Sequence, residues 1–405
     1  MNQRKYKRGL AALAVLALGV GVTACGGSDS GTDTTAAAGS DTTMASEGGT
    51  TLANFTPTEG AKAVDCRPTD GSAFKAAWIY VGPITDGGWT QAHHEGYKAA
   101  VAEFGDKLVA TYKENMPEGP EVAATIDQLV KDGNNMIFGT SFGFQDAFFE
   151  SAAKYPNVCF EMETGYKFQP NMSEAYGAGE DGDYLAGIAA GAASKSGKVG
   201  AVMPFAIPEV IRGLNAFTLG VRKSNPDATV QVTWTSTWFD PAKERQAAES
   251  LISAGVDALW SAQDSPAAGD AAKEKGVKWV GYDSDQNANY PEIWLTATTY
   301  HWAVYEVPRI AQAMAGEWVP GDYYGGLDDG FVKLASFGKS VSAETQAVIA
   351  EEMAKLKETK GAMFTGPINK QDGTVAIEAG KTASYGEKMS MDYLIEGVVG
   401  DLPKS

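Results

Sequence analysis

The sequence predicts an α/β fold of two lobes, each a parallel sheet flanked by helices, facing each other across a cleft. Three observations carry this. Short apolar runs rich in β-formers alternate with helix-length segments, which is the pattern of βαβ units and a parallel sheet. The whole series then occurs a second time. Finally, 405 residues with 44% hydrophobic side chains suffice for two units with separate cores.

The first series opens with residues 74–81 (FKAAWIYV), an apolar run closed by Gly82-Pro83. Residues 90–104 follow as a helix in which Ala92, Gly96, Ala99, Ala100 and Phe104 share one face. Of the two histidines inside it, one is expected to face solvent and the other to neighbour the cleft. A strand at 107–112, a helix at 121–131 stopped by Asp132-Gly133, a strand at 135–139, a helix at 146–154 and a strand at 158–161 complete the series. A small-residue helix over 184–194 leads into the second. There, strands at 198–203, 229–235, 258–261 and 278–282 are separated by helices at 209–222, 241–254 and 265–275. Asp240 reads as the N-cap of the middle helix, with Pro241 at its first position. A strand at 294–299 and a helix at 301–315 return the chain to the first lobe, and a strand at 330–335 and a charged helix at 342–359 follow. The first lobe is therefore expected to comprise 73–183 plus 298–328, and the second 184–297 plus 329–405.

The N-terminus carries Arg4, Lys5, Lys7 and Arg8, then an apolar run over 10–22 that is too short to span a bilayer. It ends in Val22-Thr23-Ala24-Cys25 followed by Gly26-Gly27-Ser28, which resembles a bacterial lipobox. Residues 1–24 are thus read as a lipoprotein signal peptide and Cys25 as the lipidated residue, placing the protein outside the cytoplasm on the cell membrane. Two acyl chains anchor firmly where one does not. Loss of the signal cations takes the formal charge from −18 to −22. Residues 26–61 contain no Lys or Arg and are dominated by Gly, Ser, Thr, Ala and Asp, a flexible stretch reaching ~30 Å, and 25–72 is read as the lipidated cysteine and tether. Cys66 and Cys159 remain as a candidate disulfide of an exported protein, two free buried thiols being the alternative.

Composition removes several classes. With 33 Lys+Arg against 51 Asp+Glu, no basic surface exists to neutralise phosphates, so no nucleic-acid partner is expected. Three histidines make a His-rich metal centre improbable, and no metal or other cofactor is expected. The dipeptides Gly197-Lys198, Gly338-Lys339 and Gly380-Lys381 lack the upstream glycine of a phosphate loop, the positions holding Ala192, Lys333 and Val375. No GxSxG turn and no metalloprotease pattern occurs. The run at 283–287 (DSDQN) has Ala288 and Trp294 where a calcium loop needs Gly and Glu. The chain reads as a binder rather than an enzyme.

In open α/β sheets, ligands sit outside the C-terminal ends of the strands. The turns there are TDGGWT at 85–90, TSFGFQD at 140–146, STWFD at 236–240, AQDS at 262–265 and YDSDQ at 282–286. Each sets an aromatic or amide beside a carboxylate. Two aromatic faces sandwich a planar ring, and carboxylates accept from ring N–H groups and sugar hydroxyls. Trp89, Trp238, Asp264, Asp283 and Phe142 are therefore the candidate ligand contacts, weighed against the plainer reading of core aromatics and helix caps.

The strings TDGGWTQAHHEG, IFGTSFG, IPEVIRGLNAFTLG, TWFDPAKE and GYDSDQ resemble the basic membrane protein family, lipoprotein substrate-binding components of ABC transporters, many of which bind purine nucleosides. The likeness runs in unbroken order over 73–399. It implies the two-lobe periplasmic-binding-protein fold of the ribose-binding type with three crossovers. It also implies a base clamped between Trp89 and Trp238, polar contacts from Asp264 and Asp283, and Asp86 and Thr90 in the turn that helps to hold the sugar. The implied partners are a small-molecule ligand, an ABC permease with its ATPase, and the membrane through the lipid, for a monomer without cofactor. Both clamp positions are Trp where nucleoside binders carry Phe. The ribose-contacting lysine of those binders is replaced by TTYHW at 298–302, so a free nucleobase fits the pattern as well as a nucleoside does. The alternatives are a binder or sensor of sugars or other small solutes on the same fold, or an exported nucleoside or glycoside hydrolase using Asp283 and Asp285 as paired carboxylates.

Overall fold

The computed structural model describes residues 52–403. The predicted signal peptide, Cys25 and most of the tether lie outside the described residues.

Two seven-stranded mixed sheets form, one per lobe. The first lobe contains β1 (Phe55–Pro57), β2 (Phe74–Ile79), α1 (Trp89–Phe104), β3 (Leu108–Lys113), α2 (Glu121–Lys131), β4 (Met136–Gly139), α3 (Gln145–Lys154), β5 (Cys159–Glu163) and β6 (Met172–Gly177). The second contains α4 (Gly179–Ala193), β7 (Lys198–Met203), α5 (Pro208–Ser224), β8 (Thr229–Trp234), α6 (Pro241–Ser253), β9 (Ala258–Ser261), α7 (Ala267–Lys275), β10 (Lys278–Tyr282) and β11 (Trp294–Tyr300). The chain then returns to the first lobe with α8 (Ala303–Ala315) and β12 (Gly321–Gly325). It ends in the second with β13 (Val332–Leu334), α9 (Ala343–Thr359), β14 (Ile368–Asn369), β15 (Val375–Ile377), α10 (Tyr385–Met389) and β16 (Val398–Val399).

The strand orders are β1-β12-β6-β5-β4-β2-β3 and β13-β11-β10-β9-β7-β8-β16. All neighbours are parallel except the edge strands β1, antiparallel to β12, and β13, antiparallel to β11. The central strands are buried on both faces, as MIFG of β4 shows, because helices cover both sides. The sheets are thus mixed at their edges rather than wholly parallel. The chain passes between lobes three times, at 177–179, at 300–303 and between β12 and β13. The first two passages fall a few residues from the expected boundaries at 183 and 298. The reason is that α4 packs along α5, and β11 stays paired with β10 through Thr298.

The last part of the expected tether is structured. Phe55–Pro57 pairs with Gly321–Tyr323 as an edge strand, and the Phe55 ring lies 4.6 Å from the Arg309 guanidinium. Cys66 and Cys159 are disulfide-bonded with Cα atoms 5.9 Å apart, fastening the segment before β2 to the start of β5. Local composition reads as a linker here; the partner strand and the bridge, both distant in sequence, override it. Asp240 accepts from the Lys243 amide at 3.1 Å as the N-cap of α6. Neither histidine of α1 faces solvent: His93 is fully buried between Trp89 and Trp302, and His94 is nearly so, packed among Tyr80, Tyr97 and Tyr112. No helix among the described residues is long and apolar enough to cross a membrane.

Candidate functional site

The strand ends of the two sheets face one another and enclose a cavity. Its lining includes six aromatic rings: Trp89 and Phe142 from the first lobe, Trp238, Trp260 and Tyr282 from the second, and Tyr300 at the second crossing. Trp89 is the first residue of α1, and its indole N–H donates to the Thr140 carbonyl at 2.6 Å, which fixes the ring against the end of β4. Trp238 follows β8, is only partly buried, and donates from its indole to Glu118 of the opposite lobe at 3.1 Å. One ring is thus set rigidly into the wall, while the other spans the mouth.

The turn that carries Trp89 is built by its own residues. Asp86 accepts from the amides of Gly88 (2.9 Å), Thr90 (2.8 Å) and Gln91 (3.0 Å), and the Thr90 hydroxyl accepts from the Gly82 amide at 3.2 Å. Neither residue lines the cavity; both shape the loop that presents Trp89. That loop meets the second lobe closely. The Gln286 amide donates to the Gly87 carbonyl at 2.9 Å, Ser284 donates to the same oxygen, and a Cβ on Gly88 would stand 3.0 Å from the Asp264 Cα. Glycine at position 88 is what allows the lobes to touch here.

Asp264 lines the cavity and is 3% exposed, and its carboxylate has no hydrogen-bond partner among the described residues. Burial, then the charges of Asp86 and Asp283, push its carboxyl well above the usual range. Asp283 stands one residue behind Tyr282 with a positive φ of 55°, facing the adjoining recess with Tyr300 and Trp302. Among the described residues neither of its buried oxygens has a well-directed hydrogen bond, and burial followed by the charge of Asp86 raises it strongly, the Tyr300 amide offsetting part of this.

The cavity also holds residues that the strand-end rule overlooks. Asp183 and Glu180 come from the first turns of α4, and Glu209 and Arg212 from α5. Arg212 is 2% exposed and pairs with Glu180 through Nε at 3.2 Å, leaving one terminal nitrogen unpaired. Glu180 is penalised by burial, but the positive charges of Lys388 and Arg212 prevail and hold it at about 2. Asp183 accepts from the Thr298 hydroxyl at 2.6 Å and is pushed by burial to about 7, as is Glu209. The available signal was three acids at the head of a helix whose other residues are small or apolar. The surface so assembled offers flat apolar faces ringed by proton acceptors, with one guanidinium. It suits a planar molecule bearing N–H or O–H donors.

A family model described as ABC transporter substrate-binding protein, PnrA-like (Bmp) matches residues 73–364. A purine-binding protein of Brucella abortus (strain 2308) is 37% identical over 330 residues, covering 82% of this chain and 94% of the relative. A candidate ABC transporter glucose-binding protein of Haloferax volcanii is 35% identical, covering 83% of each. Among solved structures, a solute-binding protein from Aeropyrum pernix K1 superposes with a TM-score of 0.64 at 17% identity, over 73% of this chain and 93% of that one. One from Conexibacter woesei superposes at 0.59 and 21%, over 71% and 97%. These two likenesses bear out the expected fold. The chain belongs to the Bmp family of PnrA-like substrate-binding proteins of ABC transporters.

Proposed function

We propose that this protein captures a purine base or nucleoside in the cavity between its lobes and releases it unchanged to the permease. Membership of the family implies a small-molecule ligand, a permease partner and a location outside the cytoplasm. The observation that carries the purine reading is the pairing of the Trp89 and Trp238 rings with the unpartnered carboxylate of Asp264. Stacking on two indoles suits a fused heterocycle, and a carboxylate accepts from its N–H groups. The Brucella relative supports the same class. Asp86 and Thr90 act in this reading through the shape of the loop, Phe142 flanks the stacked ring, and Asp283 stands behind it in the adjoining recess. The protein is a monomer, held to the membrane through lipid on Cys25, and works without a catalytic step.

Sugar binding is the second reading, favoured by the Haloferax relative, since aromatic faces ringed with acceptors also suit sugar hydroxyls. Calorimetric titration of the ligand-stripped protein with adenine, guanine, hypoxanthine, their nucleosides and glucose separates the two. Tight 1:1 binding of a purine with no heat from glucose is expected. Heat from glucose alone overturns the purine reading, and silence from every purine does the same.

A further inference from the structure

We propose that His93, Glu163 and Glu306 form a binding site for one divalent transition-metal ion in the wall of the first lobe, directly behind Trp89. His93 lies one turn into α1, Glu163 ends β5 and Glu306 begins α8, so the site would join three elements distant in sequence. All three side chains are fully buried, and one ligating atom from each lies within 4.8 Å of the others. His93 Nδ1 stands 2.9 Å from Glu163 Oε2 and 3.7 Å from Glu306 Oε1. Donors about 2.0–2.2 Å from a shared ion fall at such separations.

The pairing is not an ordinary hydrogen bond. Among the described residues, none of the six nitrogen and oxygen atoms of the three side chains makes a hydrogen bond of acceptable direction, although the closest pair is only 2.9 Å apart and the Trp78 indole lies beside Glu306. Among the described residues, His93 is the ion-pair partner of both carboxylates, and no lysine or arginine pairs with either. A divalent ion with two carboxylates and a neutral imidazole sums to zero charge, which is what a buried site requires. One nitrogen and carboxylate oxygens suit zinc or manganese.

The surroundings hold the ligands in place. The imidazole stacks on Trp302 with centroids 4.0 Å apart and planes 21° apart, and the Trp89 ring stands edge-on to it at 4.7 Å. Gly96, one turn further along α1, leaves room for the carboxylate: a Cβ there would lie 2.3 Å from Glu306 Oε2. The ion would brace the ring that faces the ligand cavity without touching the ligand.

The test uses the untagged full chain. Metal content is measured by mass spectrometry as purified. Melting is then followed after chelator treatment with zinc chloride or manganese chloride added back. One equivalent of metal and a rise of about 5 °C at a hundredfold excess over Kd are expected. The rise should vanish in His93→Gln and Glu163→Gln and survive in the exposed control Glu103→Gln. No metal as purified with no shift from either salt overturns the proposal, as does a shift that both cluster variants keep. Should those variants not fold, anomalous diffraction from wild-type crystals at the metal edge decides. A peak about 2 Å from His93 Nδ1 supports the site, and a peak elsewhere or none refutes it.

Discussion

Glu161 on β5 and Asp264 after β9 are both carboxylates withdrawn from water, and the protein treats them in opposite ways. Glu161 is fully buried and saturated. It accepts from Arg309 Nε at 2.8 Å, from the Trp318 indole at 2.6 Å and from the Tyr305 hydroxyl. Arg309 in turn donates to Ser173 and to the Val319 carbonyl, and lies 4.7 Å from the Trp318 ring. Asp264 is 3% exposed and has neither a cation nor a donor beside it, only other acids. A buried carboxylate saturated by its own chain holds the fold together. One left with acceptors to spare is kept for something that arrives from outside.

The comparison breaks most visibly at Arg309. Arg309→Met leaves Glu161 as an uncompensated buried charge, and chemical denaturation should report a loss of about 3–5 kcal/mol. Adding Glu161→Leu should restore most of that, because a buried pair replaced by apolar side chains costs little. A double variant as unstable as the single one would mean that the network does more than neutralise charge.

How far the sequence announces these two regions follows from where their residues sit. Trp89, Trp238, Phe142 and Asp264 were legible because each follows a recognisable strand, and strand ends in such sheets face the ligand. Asp183, Glu209 and Arg212 were not, since they project into the cavity from helices and a rule about strand ends is blind to them. Apart from β6, the αβ alternation from β2 to β11 was legible because its strands are short runs rich in apolar and β-branched residues between helix-length segments. The strands β6 (MSEAYG) and β12 (GDYYG) were not assigned, their glycines and polar residues being placed in the sheet by pairing with each other and with β5 and β1. The solvent-facing histidine expected in α1 was misjudged because His94 is covered by Tyr80 and Tyr112 at the edge of the sheet, contacts that the helix pattern alone does not announce.

At Asp264 the prediction has two halves with opposite signs. Its carboxyl titrates well above its ordinary value of 3.8 in the folded protein, so the folded state holds its proton more firmly than the unfolded chain. Its stabilising effect is full below pH 4 and is lost as pH rises toward the folded value. Asp264→Asn has no such loss. Without ligand, the variant should gain steadily on the wild type as pH rises from 4 to 8, measured by chemical denaturation. Ligand affinity should fall by about 10- to 100-fold, the worth of a hydrogen bond to a charged acceptor. A variant less stable than wild type at pH 8, or one that binds equally well, would place Asp264 with Glu161 as a structural residue.

The two indoles sharpen the contrast within the site itself. Trp89 is 8% exposed and bonded to the Thr140 carbonyl, so Trp89→Ala removes packing and ligand contact together, and lost affinity there cannot be separated from a damaged lobe. Trp238 is partly exposed and its indole hydrogen bond crosses to Glu118, so Trp238→Ala should leave the melting temperature within a few degrees. Its effect should instead appear in binding, as a loss of about 5- to 100-fold for a stacked base, reported by titration. Trp238→Phe keeps a stacking face but loses the indole donor. It should recover most of the affinity if stacking is the contribution of this residue, and little of it if the bond to Glu118 is what closes the mouth.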